Sequence, residues 1–211
     1  SGWDLEFIEA AGFSSVRIDH LLKLAKLRQL SDPQMVNELR THMTKASAPT
    51  PSVEAILHAI LPYQYVDHTH ADAVITITNT GNGLERIREI YGDNVVVVPY
   101  VMPGFDLARR CAEQFAADVR KNTIGMVLMN HGIFSFGKTA QESYERMIDL
   151  VTWAENYLAK HKAWVLPEAT EKPETKPLRE QLAVLRQKLS VTTGFPIIVA
   201  AHGDATNLAF A

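Results

Sequence analysis

Residues 124–137 read IGMVLMNHGIFSFG and predict two neighbouring strands. The apolar run 124–130 is typical of a buried strand, and residues 133–137 are typical of a second, shorter one. His131 and Gly132 break the pattern between them. A glycine at such a break either lets the backbone turn sharply or lets another group approach closely. The break therefore places an imidazole where a buried strand ends.

Single strands alternate with helices around this pair. Residues 94–100 (NVVVVPY) predict a buried strand, and residues 106–120 and 143–161 predict helices, the second with Thr139 as its cap. This alternation favours a layered α/β domain over residues 1–165.

The C-terminal part has a different composition. Residues 164–178 (WVLPEATEKPETKPL) are rich in proline and charge, which predicts a linker. We therefore expect residues 166–211 to form a linker and a C-terminal extension. Within it, residues 178–189 predict a helix and residues 195–201 (FPIIVAA) a short strand.

Two earlier segments matter for the site. Residues 51–61 (PSVEAILHAIL) predict a helix that Thr50 caps and in which Pro51 takes the first position. Residues 74–78 (VITIT) alternate like a strand and are β-branched, whereas the preceding HADAV could open a helix. The local signals conflict there.

Composition excludes some classes of function. The chain has 24 acidic and 21 basic residues and a net charge of −3, which argues against a nucleic-acid binder. We expect no membrane span, because the apolar runs are too short. The single cysteine, Cys111, cannot form an internal disulfide, so a reducing, cytoplasmic setting is expected. We interpret Cys111 as a buried apolar residue rather than a nucleophile. We expect no signal peptide, and the start at Ser1 without methionine suggests a fragment.

Candidate metal ligands stand out in the sequence. His68 and His70 are one residue apart and project to one face if the backbone is extended. Glu54 and His58 are four apart on the predicted helix and share its face. With His131, three imidazoles, a carboxylate and an open position would resemble a catalytic zinc site.

Other interpretations of these residues remain. An HxH pair is a common coincidence, and His58 alone is better explained as a packing residue. Asp67 and Asp72 could accept hydrogen bonds from the imidazoles, or could be solvated loop carboxylates. The remaining histidines have no partner at ligand spacing and are interpreted as surface or packing residues: His20, His42, His161 and His202.

Four segments together carry a resemblance to a known family. They are PSVEAILHAI (51–60), VDHTHADAV (66–74), MNHGIFSFG (129–137) and ESYERM (142–147). In this order they resemble the class II aldolase/adducin superfamily, and most of all the aldolase portion of proteins that fuse it to a short-chain dehydrogenase. The resemblance covers roughly residues 1–160. It implies a three-layer α/β/α fold with a largely antiparallel sheet, a helix after His70, and a cyclic homotetramer.

The resemblance also implies roles for single residues. His68, His70 and His131 match the ligands of a Zn²⁺ cofactor, and Glu54 matches the catalytic acid/base. Ser52 matches a phosphate-contacting position, and Gly2 falls on the loop of a second such contact. The family's Gly-Asn-x-Ser phosphate turn is not in this sequence.

The implied function is a zinc-dependent aldehyde-lyase. It would cleave a (deoxy)ketose phosphate, such as rhamnulose 1-phosphate, to dihydroxyacetone phosphate and an aldehyde through a zinc-stabilised enediolate. The alternatives are an epimerase or dehydratase on the same site, or a non-catalytic interaction module like adducin's. The expected partners are the sugar phosphate and further copies of the chain, with no nucleic acid and no membrane. The resemblance also allows for a dehydrogenase fused in the full-length protein.

Overall fold

A four-stranded mixed sheet forms the middle of the fold. Its strands are β1 (Tyr65–Thr69), β2 (Val95–Val98), β3 (Gly125–Leu128) and β4 (Gly132–Gly137), in the spatial order β1-β4-β3-β2. β4 pairs antiparallel with both β1 and β3, whereas β2 pairs parallel with β3. The expected largely antiparallel sheet is therefore confirmed, and one parallel pair makes it mixed.

Eight α-helices accompany the sheet in the residues that this computed structural model describes, 3–164 and 179–200. They are α1 (Ile18–Leu24), α2 (Asp32–Thr41), α3 (Ala55–Ile60), α4 (Asp72–Thr78), α5 (Gly83–Tyr91), α6 (Phe105–Asp118), α7 (Ala140–Lys160) and α8 (Arg179–Thr193). None of these helices has the length and apolarity needed to cross a bilayer.

Contacts divide the chain into two units, Ser1–Lys160 and His161–Ala211. The first unit holds the sheet and the helices α1 to α7, and the second holds α8. The predicted boundary at residue 165 lies outside the described residues, as does most of the predicted linker, so the division 1–165 and 166–211 stays a prediction.

Helices cover both faces of the sheet, which confirms the α/β/α layering. One core lies between the sheet and α1, α2, α3 and α6, and it includes Val96, Met126 and Phe134. The other lies between the sheet and α4, α5 and α7, and it includes Val127 and Ile133. Successive residues of β3 and β4 thus enter opposite cores, because side chains alternate along a strand. Burial on both faces explains why residues 124–137 read as nearly continuous apolar runs.

Two predicted details of these helices are confirmed. The hydroxyl Oγ1 of Thr139 accepts a hydrogen bond from the backbone N–H of Glu142 at 3.1 Å and so caps α7. Cys111 of α6 is fully buried in the first core, and this burial raises the pKa of its thiol to about 12. A thiol with so high a pKa is protonated at neutral pH, which fits a packing role.

Residues 74–78 are helical, as the resemblance implied and against their strand propensity. They belong to α4, in which Ala73, Val74 and Ile77 are buried in the second core. This spacing covers one side of a helix, whereas a strand would bury every second residue. Burial against α7 and the sheet therefore outweighs the β-propensity of the β-branched side chains.

Two other predictions are wrong. α3 begins at Ala55 rather than at Pro51, and Glu54 is its N-cap. The Oγ of Ser52 accepts the backbone N–H of Glu54 at 3.2 Å, and such a local bond competes with helical pairing. The expected strand at 195–201 is also not formed over 195–200, its described part. A strand needs a partner, and residues 179–200 supply none.

Candidate metal centre

β1 brings His68 to the sheet and leaves His70 just beyond the end of the strand. His68 pairs in register with Phe134 of β4, and its imidazole stacks on that ring with centroids 4.0 Å apart. The Nε2 atoms of His68 and His70 lie 3.0 Å from each other. The HxH pair therefore directs two ring nitrogens to one point.

A backbone carbonyl orients the imidazole of His68. Its Nδ1 lies 3.0 Å from the carbonyl oxygen of Ile133, so the Nδ1–H donates there and the Nε2 keeps its lone pair. Ligating histidines commonly have such a partner on the second nitrogen. The sequence left two roles open for Asp67 and Asp72, and their exposure agrees with solvated carboxylates rather than with acceptors for the imidazoles.

The turn between β3 and β4 presents His131. Leu128 pairs with Gly132, so residues 129–131 form a three-residue loop. Asn130 takes the left-handed conformation with φ of 58°, and its Nδ2 donates to the side-chain oxygen of Asn79 at 2.7 Å. Asparagine tolerates this conformation better than most residues do. Asn130 therefore makes the turn and fixes it to the end of α4, which leaves His131 directed at the site.

Gly132 allows the neighbouring strand and two imidazoles to approach the backbone closely, and it is not the residue that makes the turn. A Cβ at this position would lie 2.6 Å from the carbonyl oxygen of Thr69 and 3.1 Å from ring carbons of both His68 and His70. Any side chain would therefore push against β1 and both imidazoles. Of the two roles that the sequence left open for this glycine, the structure shows the second.

Glu54 completes the group from the start of α3. Its Oε1 lies 2.9 Å from the Nε2 of His131 and 3.4 Å from the Nε2 of His68. Burial alone would raise the pKa of this carboxyl, but the close contacts with His131 and His68 outweigh burial and hold the pKa far below its usual range. Glu54 is therefore a carboxylate at neutral pH.

Two imidazoles near this carboxylate, those of His70 and His58, have lowered pKa values. Burial, followed by the neighbouring His68 and His131, lowers the pKa of His70. Burial and His68 also lower the pKa of His58, whose ring packs edge-on against Phe134 with centroids 5.2 Å apart. His58 is not among the converging ligands and is a packing residue here. A lowered pKa favours the neutral imidazole, which is the form that binds metals.

These residues fit a divalent metal ion. Their ligand atoms all lie within 4.8 Å of one another. In tetrahedral zinc sites, Zn–N bonds of about 2.0–2.1 Å put neighbouring nitrogens roughly 3.3 Å apart, close to the separation seen for His68 and His70. The Oε1 of Glu54 and the Nδ1 of His131 are buried without a partner in hydrogen-bond geometry. A cation would stabilise the buried carboxylate oxygen.

Comparison with known proteins identifies the family. The family described as Class II Aldolase and Adducin N-terminal domain matches residues 1–158. The chain belongs to this family.

Two relatives of this class II aldolase domain are informative. The "Uncharacterized oxidoreductase YuxG" of Bacillus subtilis (strain 168) is 39% identical over 158 residues, which are 75% of this chain but only 23% of that protein. The chain thus spans less than a quarter of that relative's length. The solved N-terminal class II aldolase domain of a conserved protein from Thermoplasma acidophilum is 44% identical, with a TM-score of 0.68 over 75% of this chain and 72% of that chain.

Of the two predicted phosphate contacts of the class II aldolase domain, the structure describes Ser52. Gly2 lies outside the described residues. Ser52 lies two residues before Glu54 and lines a cavity of about 600 Å³ together with His58 and Tyr63. The lining of this cavity contains no lysine or arginine.

In the sequence, one group of side chains shows little sign of its proximity. His20 and His42, interpreted there as surface or packing residues, meet at Glu38 in the first unit. The signal in the sequence was the spacing of Glu38 and His42, which are four residues apart, as neighbours on one face of a helix are. The approach of His20 from another helix had no signal in the sequence.

Proposed function

We propose that this domain is a zinc-dependent aldehyde-lyase that acts on a (deoxy)ketose phosphate such as rhamnulose 1-phosphate. The proposal rests on one observation, the convergence of Glu54 with His68, His70 and His131. Three imidazoles would hold the ion as neutral ligands, which leaves it its full charge. Family membership supports the reaction class.

The reaction requires a group that holds negative charge and a group that moves a proton. Cleavage between C3 and C4 of a ketose phosphate leaves the bonding electrons on C3, beside the C2 carbonyl. A Zn²⁺ ion held by the three histidines would supply Lewis acidity toward the oxygens of the substrate.

Glu54 is the proposed proton carrier. In the condensation direction, its carboxylate removes a proton from C3 of dihydroxyacetone phosphate, and the new C4 oxygen takes a proton from solvent. In cleavage, the C4 hydroxyl gives its proton to solvent as the C3–C4 bond breaks, and protonated Glu54 returns a proton to C3. The low pKa of Glu54 keeps it ionised and ready to accept the proton. Its position at the N-cap of α3, beside the imidazoles, matters more than its basicity, because proton transfer requires hydrogen-bond reach.

The substitution Glu54→Gln tests this role. We expect the variant to retain zinc but to lose about two orders of magnitude or more in the rate of aldol cleavage, the usual contribution of a general base. The matched control is Glu113→Gln, which alters a surface carboxylate that pairs only with neighbouring arginines of α6. Cleavage at nearly the wild-type rate in the Glu54 variant would refute the assignment.

The ligand set has its own test. Elemental analysis of His68→Ala and His131→Ala should find little zinc, whereas the exposed His161→Ala should keep it. Full zinc occupancy in both ligand variants would contradict the ligand set. If purified wild-type protein holds no metal, a non-catalytic interaction module is favoured. Product analysis with a panel of sugar phosphates distinguishes cleavage from epimerisation and dehydration.

Ser52 and Gly2 are proposed to contact the phosphate group of the substrate. For Ser52, the support is its place next to Glu54, which it contacts through the Glu54 N–H at 3.2 Å. Ser52→Ala should raise KM for the phosphorylated sugar more than it lowers kcat. An unchanged KM would remove Ser52 from the substrate site.

The proposal includes further copies of the chain and a further domain. We propose a cytoplasmic homotetramer, and the exposed side chains of Phe13 and Ile18, at 64% and 61% exposure, offer an apolar surface for assembly. Light scattering on the purified protein tests the tetramer. The oxidoreductase name of the Bacillus subtilis relative, of which the chain covers 23%, supports a dehydrogenase fused in the full-length protein.

A further inference from the structure

Three side chains with metal-ligating atoms meet outside the Glu54 group. His20 comes from α1, Glu38 from the last turns of α2, and His42 is the C-cap of α2. The Nε2 of His20 lies 2.7 Å from the Oε2 of Glu38, and the Nδ1 of His42 lies 3.7 Å from the same oxygen. Their ligand atoms lie within 4.8 Å of one another.

Backbone contacts position His42. Its Nδ1 lies 2.8 Å from the carbonyl oxygen of Glu38, so the Nδ1–H donates there. The carbonyl oxygen of His42 accepts the N–H of Arg17 at 3.1 Å, next to a bridge between Val16 and Met43. The segment before α1 and the end of α2 are therefore tied together, and the three side chains are held at one place.

The carboxylate of Glu38 gives this cluster a negative charge that a bound cation would balance. In the described part of the chain, the ion pairs of Glu38 involve the two histidines and no lysine or arginine. The imidazoles of His20 and His42 stack on each other beside this carboxylate, with centroids 3.2 Å apart. A divalent ion would compensate the carboxylate while both imidazoles stay neutral.

We propose that His20, Glu38 and His42 form a second metal site, for a divalent transition-metal ion such as Zn²⁺. Two imidazoles and one carboxylate are a ligand set for transition metals rather than for Mg²⁺ or Ca²⁺, which prefer oxygen ligands. Binding exchanges the bond of His42 to the Glu38 carbonyl for a bond to the ion, and the ring of His42 turns out of the stack so that the ion lies in both ring planes. The side chain of His42, 32% exposed at a helix end, has room to do this. Water completes the coordination, and the bound ion clamps α1 to α2.

Zinc binding to the complete chain tests the proposal, with the zinc content measured by elemental analysis after dialysis against increasing free Zn²⁺. We expect wild-type protein to bind two ions per chain, one for each site, and His20→Ala/His42→Ala to bind one fewer. The control His161→Ala should match the wild type. Equal zinc content in the double variant and the wild type would overturn the proposal.

Two further variants keep the result interpretable. If the double variant does not fold, Glu38→Gln retains both imidazoles and should weaken binding of the second ion about tenfold or more. Unchanged binding in Glu38→Gln would also overturn the proposal. His68→Ala removes a ligand of the other centre and should still bind one ion, so failure of the proposed catalytic site is distinguished from failure of this one.

Discussion

Gly132→Ala should damage the fold and the metal centre together. The added methyl group would lie 2.6 Å from the carbonyl oxygen of Thr69 and 3.1 Å from ring carbons of His68 and His70. The first contact is with the backbone of the paired strand β1 and cannot be relieved by a rotamer change. Overpacking of this kind costs about 1–3 kcal/mol of unfolding free energy. For a chain of this size, each kcal/mol corresponds to roughly 2–4 °C in Tm.

The same substitution should weaken zinc binding. If β1 or the imidazoles shift by a few tenths of an ångström, the nitrogens of His68 and His70 no longer converge as they do now. We expect zinc affinity to fall by about tenfold or more, as when the surroundings of a metal ligand are disturbed. Competition with a chelator of known affinity measures this, and urea unfolding followed by circular dichroism measures stability.

Two other glycines are matched controls. Gly125→Ala, on β3, would place its Cβ 2.6 Å from the carbonyl oxygen of Phe134. We expect this variant to lose about as much unfolding free energy as Gly132→Ala but to keep its zinc affinity. Gly81→Ala meets no atom within 4 Å and should stay within about 1 kcal/mol of wild type. Equal stability and zinc affinity in Gly132→Ala and Gly81→Ala would contradict the prediction, and so would a loss of zinc affinity in Gly125→Ala as large as that in Gly132→Ala.

Two more predictions concern pH and the turn at the site. The lowered pKa values of His58 and His70 mean that the unfolded chain binds more protons than the folded chain, so stability should be full above about pH 6.5 and fall at lower pH. Urea unfolding at several pH values measures this loss of stability. In His58→Phe, the unfolding free energy should fall less steeply as the pH decreases. An unfolding free energy that does not change between pH 7.5 and 5.5 would contradict the prediction. Asn130→Ala should cost about 1–2 kcal/mol, because alanine resists φ of 58° and loses the bond to Asn79, whereas Asn130→Gly keeps the conformation and should cost less. Equal unfolding free energies for Asn130→Ala and Asn130→Gly would contradict the prediction that the left-handed conformation destabilises the alanine variant.

Much of the site could be predicted from the sequence because its ligands are close along the chain or stand at a visible break. His68 and His70 are one residue apart, a spacing that directs both rings to one side of an extended chain, and His131 interrupts two apolar runs. Which atoms orient these rings could not be predicted, since the acceptor for His68 is a backbone carbonyl on a strand 65 residues away.

The position of Glu54 relative to its helix was not predicted correctly from the sequence. The sequence placed it inside a helix beside His58, but a local bond to the Oγ of Ser52 delays the helix until Ala55. Glu54 therefore lies at the N-cap, where its carboxylate reaches His131 instead of extending along the helix face.

The strands at 124–137 and the helices α6, α7 and α8 follow from the sequence alone, as do the residue types of the candidate metal centre, because these features depend on local periodicity and spacing. Only the tertiary structure decided that residues 74–78 are helical, because their burial against α7 and the sheet outweighs β-propensity. It also decided that His20 meets Glu38 and His42, since contacts between separate helices leave no local pattern in a single sequence.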